Sequence, residues 1–496
     1  MIKHRFWLTI GLYLLSRFLN LLSLPIFNDE SIYLHWGKIM VSVPNQAFYS
    51  LFDGKPPLFL WLLGLAQNLP LDPLIAGRIV SILFGLATLL GILQTSKLLG
   101  LSKQGQILAG IFYIASPLNI FFDRLAILDS AISSIFIWIL YFSIRISQLT
   151  ISNRQSATHW IILITLGITQ GLGLWLKGTS QLFLFLPFLL PLSTLVLQKD
   201  VKKAAREAIF FLLSFLIAEL FFFPVRFQPL FAVFQKREGD FLVPINQAVE
   251  PSNWLPHLSL ISLTSLIYLG PFVLLFAVLG FLKLYKKEPM TSLFLALSFF
   301  LPLAFEILFA RYFLSRYYLF TFLPLFIFSA YGLTTLTFPK PLKTLILLVT
   351  LFVPTIISLS FLLNPLFTIS SFSFTPSLKS DMFGYTSGWP SGYGVKEAAD
   401  WLKNESEKSP ILVITRADSG NPEDAMFVYL SKNKNILLAQ TNREPAKEEL
   451  EPFKNLPIYF VSRGEQYLDM FDRLEEMAIF PKPLDSEFVG VYKLVN

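Results

Sequence analysis

Through the first three quarters of the chain, apolar residues run in blocks of about 20, the length that crosses a bilayer, with polar residues gathered in the gaps. Such blocks lie near 6–24, 72–96, 105–122, 130–148, 160–176, 179–197, 207–224, 258–282, 290–310, 317–337 and 343–363. The pattern predicts a polytopic α-helical membrane protein of about eleven transmembrane helices. The stretch from Pro56 to Leu69 is apolar but too short to span, so it should lie along the interface or re-enter it, within a long first external loop at 25–71. Near Asn364 the composition turns mixed. Helix-like segments (Val395 to Leu402, Ala425 to Leu430, Tyr467 to Met477) then alternate with strand-like ones (Ile411 to Thr415, Ile436 to Ala439, Ile458 to Val461, Phe488 to Leu494). This divides the chain into a transmembrane part, 1–364, and a small α/β domain, 365–496, outside the membrane.

Charge sets the orientation. Lys3, His4 and Arg5 precede the first block, and every second junction after it is basic: Lys97/Lys103, Arg145/Arg154, Lys199/Lys202/Lys203/Arg206, Lys283/Lys286/Lys287 and Lys340/Lys343. Basic loops stay in the cytoplasm, so the N-terminus is inside, the odd count puts the C-terminal domain outside, and the compartment is the cytoplasmic membrane. The first block is too long for a cleavable signal, and no small-x-small site follows it.

Composition narrows the function classes. Hydrophobic residues make up 54% and charged residues 15% of the 496, with 51 phenylalanines, far from a soluble protein. Cysteine is absent, which removes disulfide, iron–sulfur and thiolate-zinc chemistry, and His4, His35, His159 and His257 are too scattered for a histidine metal site. The net charge of +7 is used by membrane orientation and lipid headgroups, not by nucleic acid.

The remaining junctions, on the outer face, hold Asp29, Glu30, Asp53, Lys55, Arg78, Arg124, Asp129, Lys177, Arg311 and Arg316. Any one of the six cations could be a snorkelling anchor or an ion-pair partner. Six against the positive-inside bias, at interfacial depth, point to an anion there, and the natural one is a phosphate carried on a lipid. Asp29 and Asp129, with Glu30 beside the first, are the candidate catalytic carboxylates: one can act as general base while another orients it or the substrate hydroxyl. The bland reading of Asp29 is an N-cap for an interfacial helix beginning at Glu30 or Ser31.

Several local motifs complete the picture. They are Asp29-Glu30 after the first span, Lys55-Pro56-Pro57-Leu58 with Trp61, Arg78 in a small-residue span, Arg124 with Asp129, Gly173-Leu174-Trp175-Leu176-Lys177-Gly178, Arg316-Tyr317-Tyr318 before Pro324, and Ala330-Tyr331-Gly332. In these, over roughly residues 5 to 335, the chain resembles bacterial phospholipid carrier-dependent glycosyltransferases of the protein-O-mannosyltransferase and aminoarabinose-transferase type, which have the GT-C membrane fold. Ser387 to Gly394 adds an echo beyond the last span. The resemblance implies a sugar carried on a polyprenyl phosphate and moved outside the cytoplasmic membrane to an acceptor hydroxyl on a protein, lipid or envelope glycan. It implies Asp29 as the base or base-positioning carboxylate and Asp129 as its partner. It gives Lys55, Arg124, Lys177 and Arg316, joined by Arg78 and Tyr317, to the donor phosphate. The aminoarabinose-type members usually have glutamate directly before the lysine of the proline motif. Here Gly54 intervenes after Asp53, which speaks against a lipid A acceptor. The loop from Val225 to Pro256 is too short for the luminal insertion of eukaryotic relatives.

Elementary chemistry agrees. Clustered Lys and Arg can stabilise a departing phosphate without a strong acid, and one carboxylate suffices to deprotonate the acceptor, so single displacement with inversion is the simplest reaction. Two carboxylates near a phosphate are compatible with a divalent cation or with none. The rival class is a lipid transporter or flippase, but such proteins concentrate ionisable residues near the bilayer midplane, where only Glu219 and Glu306 are acidic.

Overall fold

The computed structural model of the protein describes residues 2–151, 157–312, 314–371, 379–466, 468–471, 473–485 and 487–495; Arg154 and Tyr467 lie outside them. The helices are α1 (Ile2–Phe18), α2 (Asn28–Ser42), α3 (Leu58–Ala66), α4 (Pro73–Leu98), α5 (Lys103–Ala115), α6 (Pro117–Phe122), α7 (Asp129–Ile151) and α8 (Ala157–Leu176). They continue as α9 (Gly178–Gln198), α10 (Val201–Arg226), α11 (Pro251–Leu269), α12 (Pro271–Lys287), α13 (Pro289–Phe309), α14 (Leu319–Thr334) and α15 (Lys340–Leu363). Among the described residues seven are long and apolar enough to cross a membrane, namely α4, α7, α8, α9, α10, α13 and α15, or eight if the bent pair α11 and α12 forms one span.

The predicted blocks at 6–24, 105–122 and 317–337 correspond to helices too short to count as spans, and proline and glycine explain the break within 105–122 and a bend within a fourth block, 258–282. Pro117 lacks an N–H and forces Ser116 out of the helical region, so the block at 105–122 becomes α5 and α6. At 258–282 the chain bends by 99° at Gly270, whose φ of +80° suits glycine, followed by Pro271. The best-marked start is that of α4, where the Asp72 side chain accepts from the backbone N–H groups of Leu74 and Ile75 and Pro73 takes the first helical position.

Helices approach closely where side chains vanish. A Cβ on Gly280 would lie 1.8 Å from the Phe328 carbonyl oxygen, and one on Gly332 2.2 Å from that of Phe276, so α12 and α14 touch backbone to backbone. Deeper in the bundle Arg17 and Asp123 form a fully buried pair at 3.1 Å. Tyr113 and Ser130 donate to the same carboxylate at 2.8 and 2.9 Å, and the guanidinium also reaches the Ile114 carbonyl at 2.9 Å. An ion pair so enclosed persists because its remaining donors and acceptors are used.

The C-terminal domain contains one five-stranded sheet, ordered β2-β1-β3-β5-β4, from β1 (Ile411–Arg416), β2 (Ile436–Thr441), β3 (Ile458–Arg463), β4 (Leu474–Pro481) and β5 (Phe488–Leu494). β1 pairs in parallel with β2 and β3, while β5 runs antiparallel to β3 and β4. Two helices, α16 (Val395–Lys408) and α17 (Glu423–Leu430), accompany it. The predicted elements recur except the helix over Tyr467 to Met477. There a 3₁₀ turn, Leu468–Met470, leads into β4. Leu474-Glu475-Glu476-Met477 has helix-forming composition, yet pairing with β5 from Leu474↔Leu494 onward overrides it.

Candidate active site

The segment between α1 and α4 is anchored before it presents anything. α2 begins at Asn28, so Asp29 sits inside the first turn and is not the N-cap that the sequence allowed. Glu30 caps instead, accepting from the Phe27 N–H at 2.9 Å and from the Ala126 N–H at 2.6 Å. Its two oxygens also take a bidentate pair from Arg78 at 2.8 Å each, and both side chains are buried. The rest of the Arg78 guanidinium donates to the carbonyls of Leu21, Leu24 and Pro25 at 2.5, 3.0 and 3.2 Å. Arg124 likewise donates to Leu19 and Asn20 carbonyls at 2.7 and 2.6 Å. Glu30, Arg78 and Arg124, predicted as site residues, thus tie the end of α1 to α4 and to the loop before α7. The physical reason is that chain leaving a helix inside protein exposes carbonyls, which arginine's several donors satisfy.

Asp29 itself faces Arg316, with Nη2 2.6 Å from Oδ2. Burial opposes ionisation of Asp29, but Arg316 and Lys55 outweigh it and hold the carboxyl below its ordinary value. The Arg316 guanidinium lies 5.7 Å from the Phe27 ring centre and 5.6 Å from that of Tyr317, and its Nε is buried without a hydrogen-bond partner. Tyr317 also lies under Lys177 at 4.7 Å, and Lys177 is 3.6 Å from Asp129 at the start of α7. Asp129 contributes to the field at both Arg316 and Tyr33, so the two ion pairs belong to one cluster. Lys55 stands over Trp36 at 5.2 Å and pairs with Asp53, which also holds Arg237 at 3.1 Å.

Asp29, Asp129, Lys55, Lys177, Arg316 and Tyr317 are therefore brought together, three cations facing two carboxylates, while Arg311 is exposed and donates to the Leu242 carbonyl at 3.4 Å. Sequence reading missed Asn28, Phe27, Arg237, Asp381 and Tyr385. The Phe27 and Tyr385 rings meet at a tilt, centres 4.4 Å apart, beside Arg316, and nothing local in the sequence marks that contact across more than three hundred residues. Among the described residues no group of three or more His, Cys, Asp or Glu could hold a metal ion. Asp29 and Asp129 each have a cation partner already, so the residues present do not favour a metal there.

Asp381 lies behind Arg316, in a small cavity lined with Ser315, Tyr268, Tyr385 and Phe121. Burial pushes its carboxyl up to about 6, against the pull of Ser315 and Arg316. Because folding raises its proton affinity, its contribution to stability is complete below the ordinary carboxylate range and is lost as pH rises through about 6. Asp381→Asn should remove that loss. Its melting temperature relative to the parent protein should rise between about pH 4 and pH 6 and stay level above that, which a thermal scan at each pH reads directly.

With this geometry in place, comparison with known proteins is informative. Residues 54–227 match the family model described as dolichyl-phosphate-mannose-protein mannosyltransferase. ArnT from Cupriavidus metallidurans in the apo state superposes with a TM-score of 0.64 at 13% identity, covering 99% of this chain and 97% of that one. The same protein bound to undecaprenyl phosphate gives 0.61 at 14% identity, over 98% and 97%. The chain has the GT-C fold. The archaeal oligosaccharyltransferase AglB from Archaeoglobus fulgidus, in complex with an inhibitory peptide and a dolichol-phosphate, matches at a TM-score of 0.55 and 11% identity, over 92% and 69%. No curated protein sequence matches the chain.

Proposed function

We propose that this GT-C protein is a membrane glycosyltransferase that moves a sugar from a polyprenyl-phosphate carrier to an acceptor hydroxyl outside the cytoplasm. The observation that carries the reading is Arg316, paired with Asp29 and still holding an unused Nε donor, beside Lys55 and Lys177. Such a set suits a phosphate monoanion or dianion. The family match over 54–227 and the undecaprenyl phosphate bound to ArnT support the choice of lipid carrier.

In the resting site Asp29 is a weak base, because Arg316 and Lys55 favour its ionised form. A donor phosphate that engages Arg316 weakens that hold and returns basicity to Asp29 when the acceptor arrives. The acceptor oxygen then attacks the anomeric carbon as its proton passes to Asp29. The bond from that carbon to the phosphate oxygen breaks with its electrons, and Arg316, Lys177 and Lys55 stabilise the departing phosphate. Asp129 keeps Lys177 oriented over Tyr317. One displacement inverts the anomeric centre. A transporter reading lacks support, since the deeply buried Arg17–Asp123 pair is closed by hydrogen bonds and offers no exchangeable site.

Native mass spectrometry in detergent should show wild type retaining undecaprenyl phosphate. Arg316→Ala should weaken binding by roughly ten- to a hundredfold, the scale of one or two charge-assisted hydrogen bonds. Equal binding by the variant would remove Arg316 from the phosphate site. The orientation is tested separately. A C-terminal alkaline phosphatase fusion should be active and a cytoplasmic reporter at the same point silent, as an inside N-terminus and an outside domain at 365–496 require.

A further inference from the structure

The C-terminal domain meets the transmembrane part at the three residues that lead into Asp29. Asn421 is fully buried, and its side-chain amide donates to the Ile26 carbonyl at 3.0 Å and the Pro390 carbonyl at 2.9 Å. The Asn28 N–H donates to the same Pro390 carbonyl at 3.0 Å. Arg463, stacked 4.2 Å over Trp389, fixes the Asn421 carbonyl at 2.9 Å and pairs with Glu423 at 2.6 Å. About two turns further along α2, His35 meets Asp424 at 2.5 Å and stacks on Phe427 at 4.4 Å, while Asp424 also accepts from the Gly420 N–H at 2.6 Å.

One contact in this set has chemical direction. The backbone N–H of Asn421 can only donate, and it points at the Asn28 Oδ1 at 3.1 Å. That fixes which way round the Asn28 amide sits: its oxygen faces Asn421 and its NH₂ faces Asp29 Oδ1, at 3.4 Å. The approach depends on Gly420, which has φ +112° and would carry a Cβ only 1.8 Å from Asn28 Oδ1. A hydrogen bond to an ionised carboxylate favours that form.

We infer that the Gly420-Asn421 loop of the C-terminal domain belongs to the active site as a positioning device: it sets the amide of Asn28, and Asn28 holds the carboxylate of Asp29. This rests on the proposed role of Asp29. The α/β domain is then a working part of the transfer reaction, and Asn28, Gly420 and Asn421 are positioning residues.

The test compares Gly420→Ala and Asn28→Ala with Lys432→Ala in the full chain in lipid nanodiscs. Lys432 also bridges the two parts, reaching the Gln67 carbonyl at 3.4 Å, but lies away from Asp29. Two readouts are taken: the pH dependence of sugar transfer, and carbodiimide labelling of Asp29, which requires a protonated carboxyl and no turnover. Both test variants should lose their acid-side activity at a pH about one unit higher than wild type and turn over about tenfold more slowly. KM for the lipid donor should stay within about twofold, and Asp29 should label at higher pH, whereas Lys432→Ala should match wild type. Wild-type acid limbs and labelling in a Gly420→Ala protein of normal melting temperature would overturn the inference. So would an equal shift in Lys432→Ala. If Gly420→Ala fails to fold, Asn28→Ala decides by the same criteria. If wild type transfers no sugar from any polyprenyl phosphate, the proposed reaction is lost, and the labelling still decides whether the loop controls Asp29.

Discussion

Asp29→Asn should abolish sugar transfer while leaving the fold and lipid-phosphate binding in place. The substitution keeps size and the ability to accept from Arg316 but removes the charge and the basic lone pair, and loss of a general base typically costs 10²- to 10⁴-fold in rate. The structure sharpens this expectation, because Asp29 is not the cap of α2 and its replacement leaves the Glu30 bonds to Phe27, Ala126 and Arg78 untouched. A normal melting temperature with turnover at least about a hundredfold down is the predicted result. Near-wild-type turnover would leave Asp29 only a structural partner of Arg316. Undecaprenyl phosphate binding should not weaken, since removing Asp29's charge frees Arg316 for the phosphate.

The largest effect on stability is expected at Arg78. Arg78→Ala strands the fully buried Glu30 carboxylate and leaves the carbonyls of Leu21, Leu24 and Pro25 without their donor. Breaking a buried pair by deleting one partner costs about 3–5 kcal/mol, a large share of the total stability of most proteins. The variant should express poorly or melt well below wild type in thermal-shift fluorescence. Pairing it with Glu30→Gln should recover part of the loss, because the orphan charge is gone. If Arg78→Ala were as stable as wild type yet defective in phosphate binding, Arg78 would return to the donor site predicted for it from the sequence.

These two residues show what a chain reveals about itself. Block length was enough to locate α4, α7, α8, α9, α10, α13, α15 and the bent pair α11 and α12, because bilayer thickness acts on every span separately, but the blocks at 6–24, 105–122 and 317–337 hold shorter helices and the expected eleven spans are not reproduced among the described residues. Breaks within blocks were harder. Pro117 and Pro271 were visible, but proline is tolerated in many membrane helices, and only the surrounding packing decides whether the chain bends. The carboxylates and cations at alternate junctions were legible as a set because they share one parity along the chain, and Asp29, Asp129, Lys177 and Arg316 do lie together. Their division into working and bracing members was not, since Glu30 and Arg78 stand 48 positions apart and any of these arginines could reach an anion or a carbonyl. The contact of Asn28 with Asn421 spans 393 positions and involves residues common in loops, so no local pattern announces it. At Leu474 to Met477, the end of the helix expected over Tyr467 to Met477, the intrinsic preference pointed to helix and pairing with β5 determined a strand.

The central claim is that Asp29, Arg316, Lys55 and Lys177 together transfer a sugar from a lipid phosphate. The most direct measurement supplies purified protein in nanodiscs with a panel of radiolabelled polyprenyl-phosphate sugars and an envelope extract, following label transfer and release of free polyprenyl phosphate. The predicted result is transfer from at least one donor, with one equivalent of polyprenyl phosphate released per sugar moved and with inverted anomeric configuration in the product. Stoichiometric release should vanish in Asp29→Asn. Tight binding of the lipid phosphates with no transfer to any acceptor fraction, or transfer undiminished in Asp29→Asn, would contradict the account.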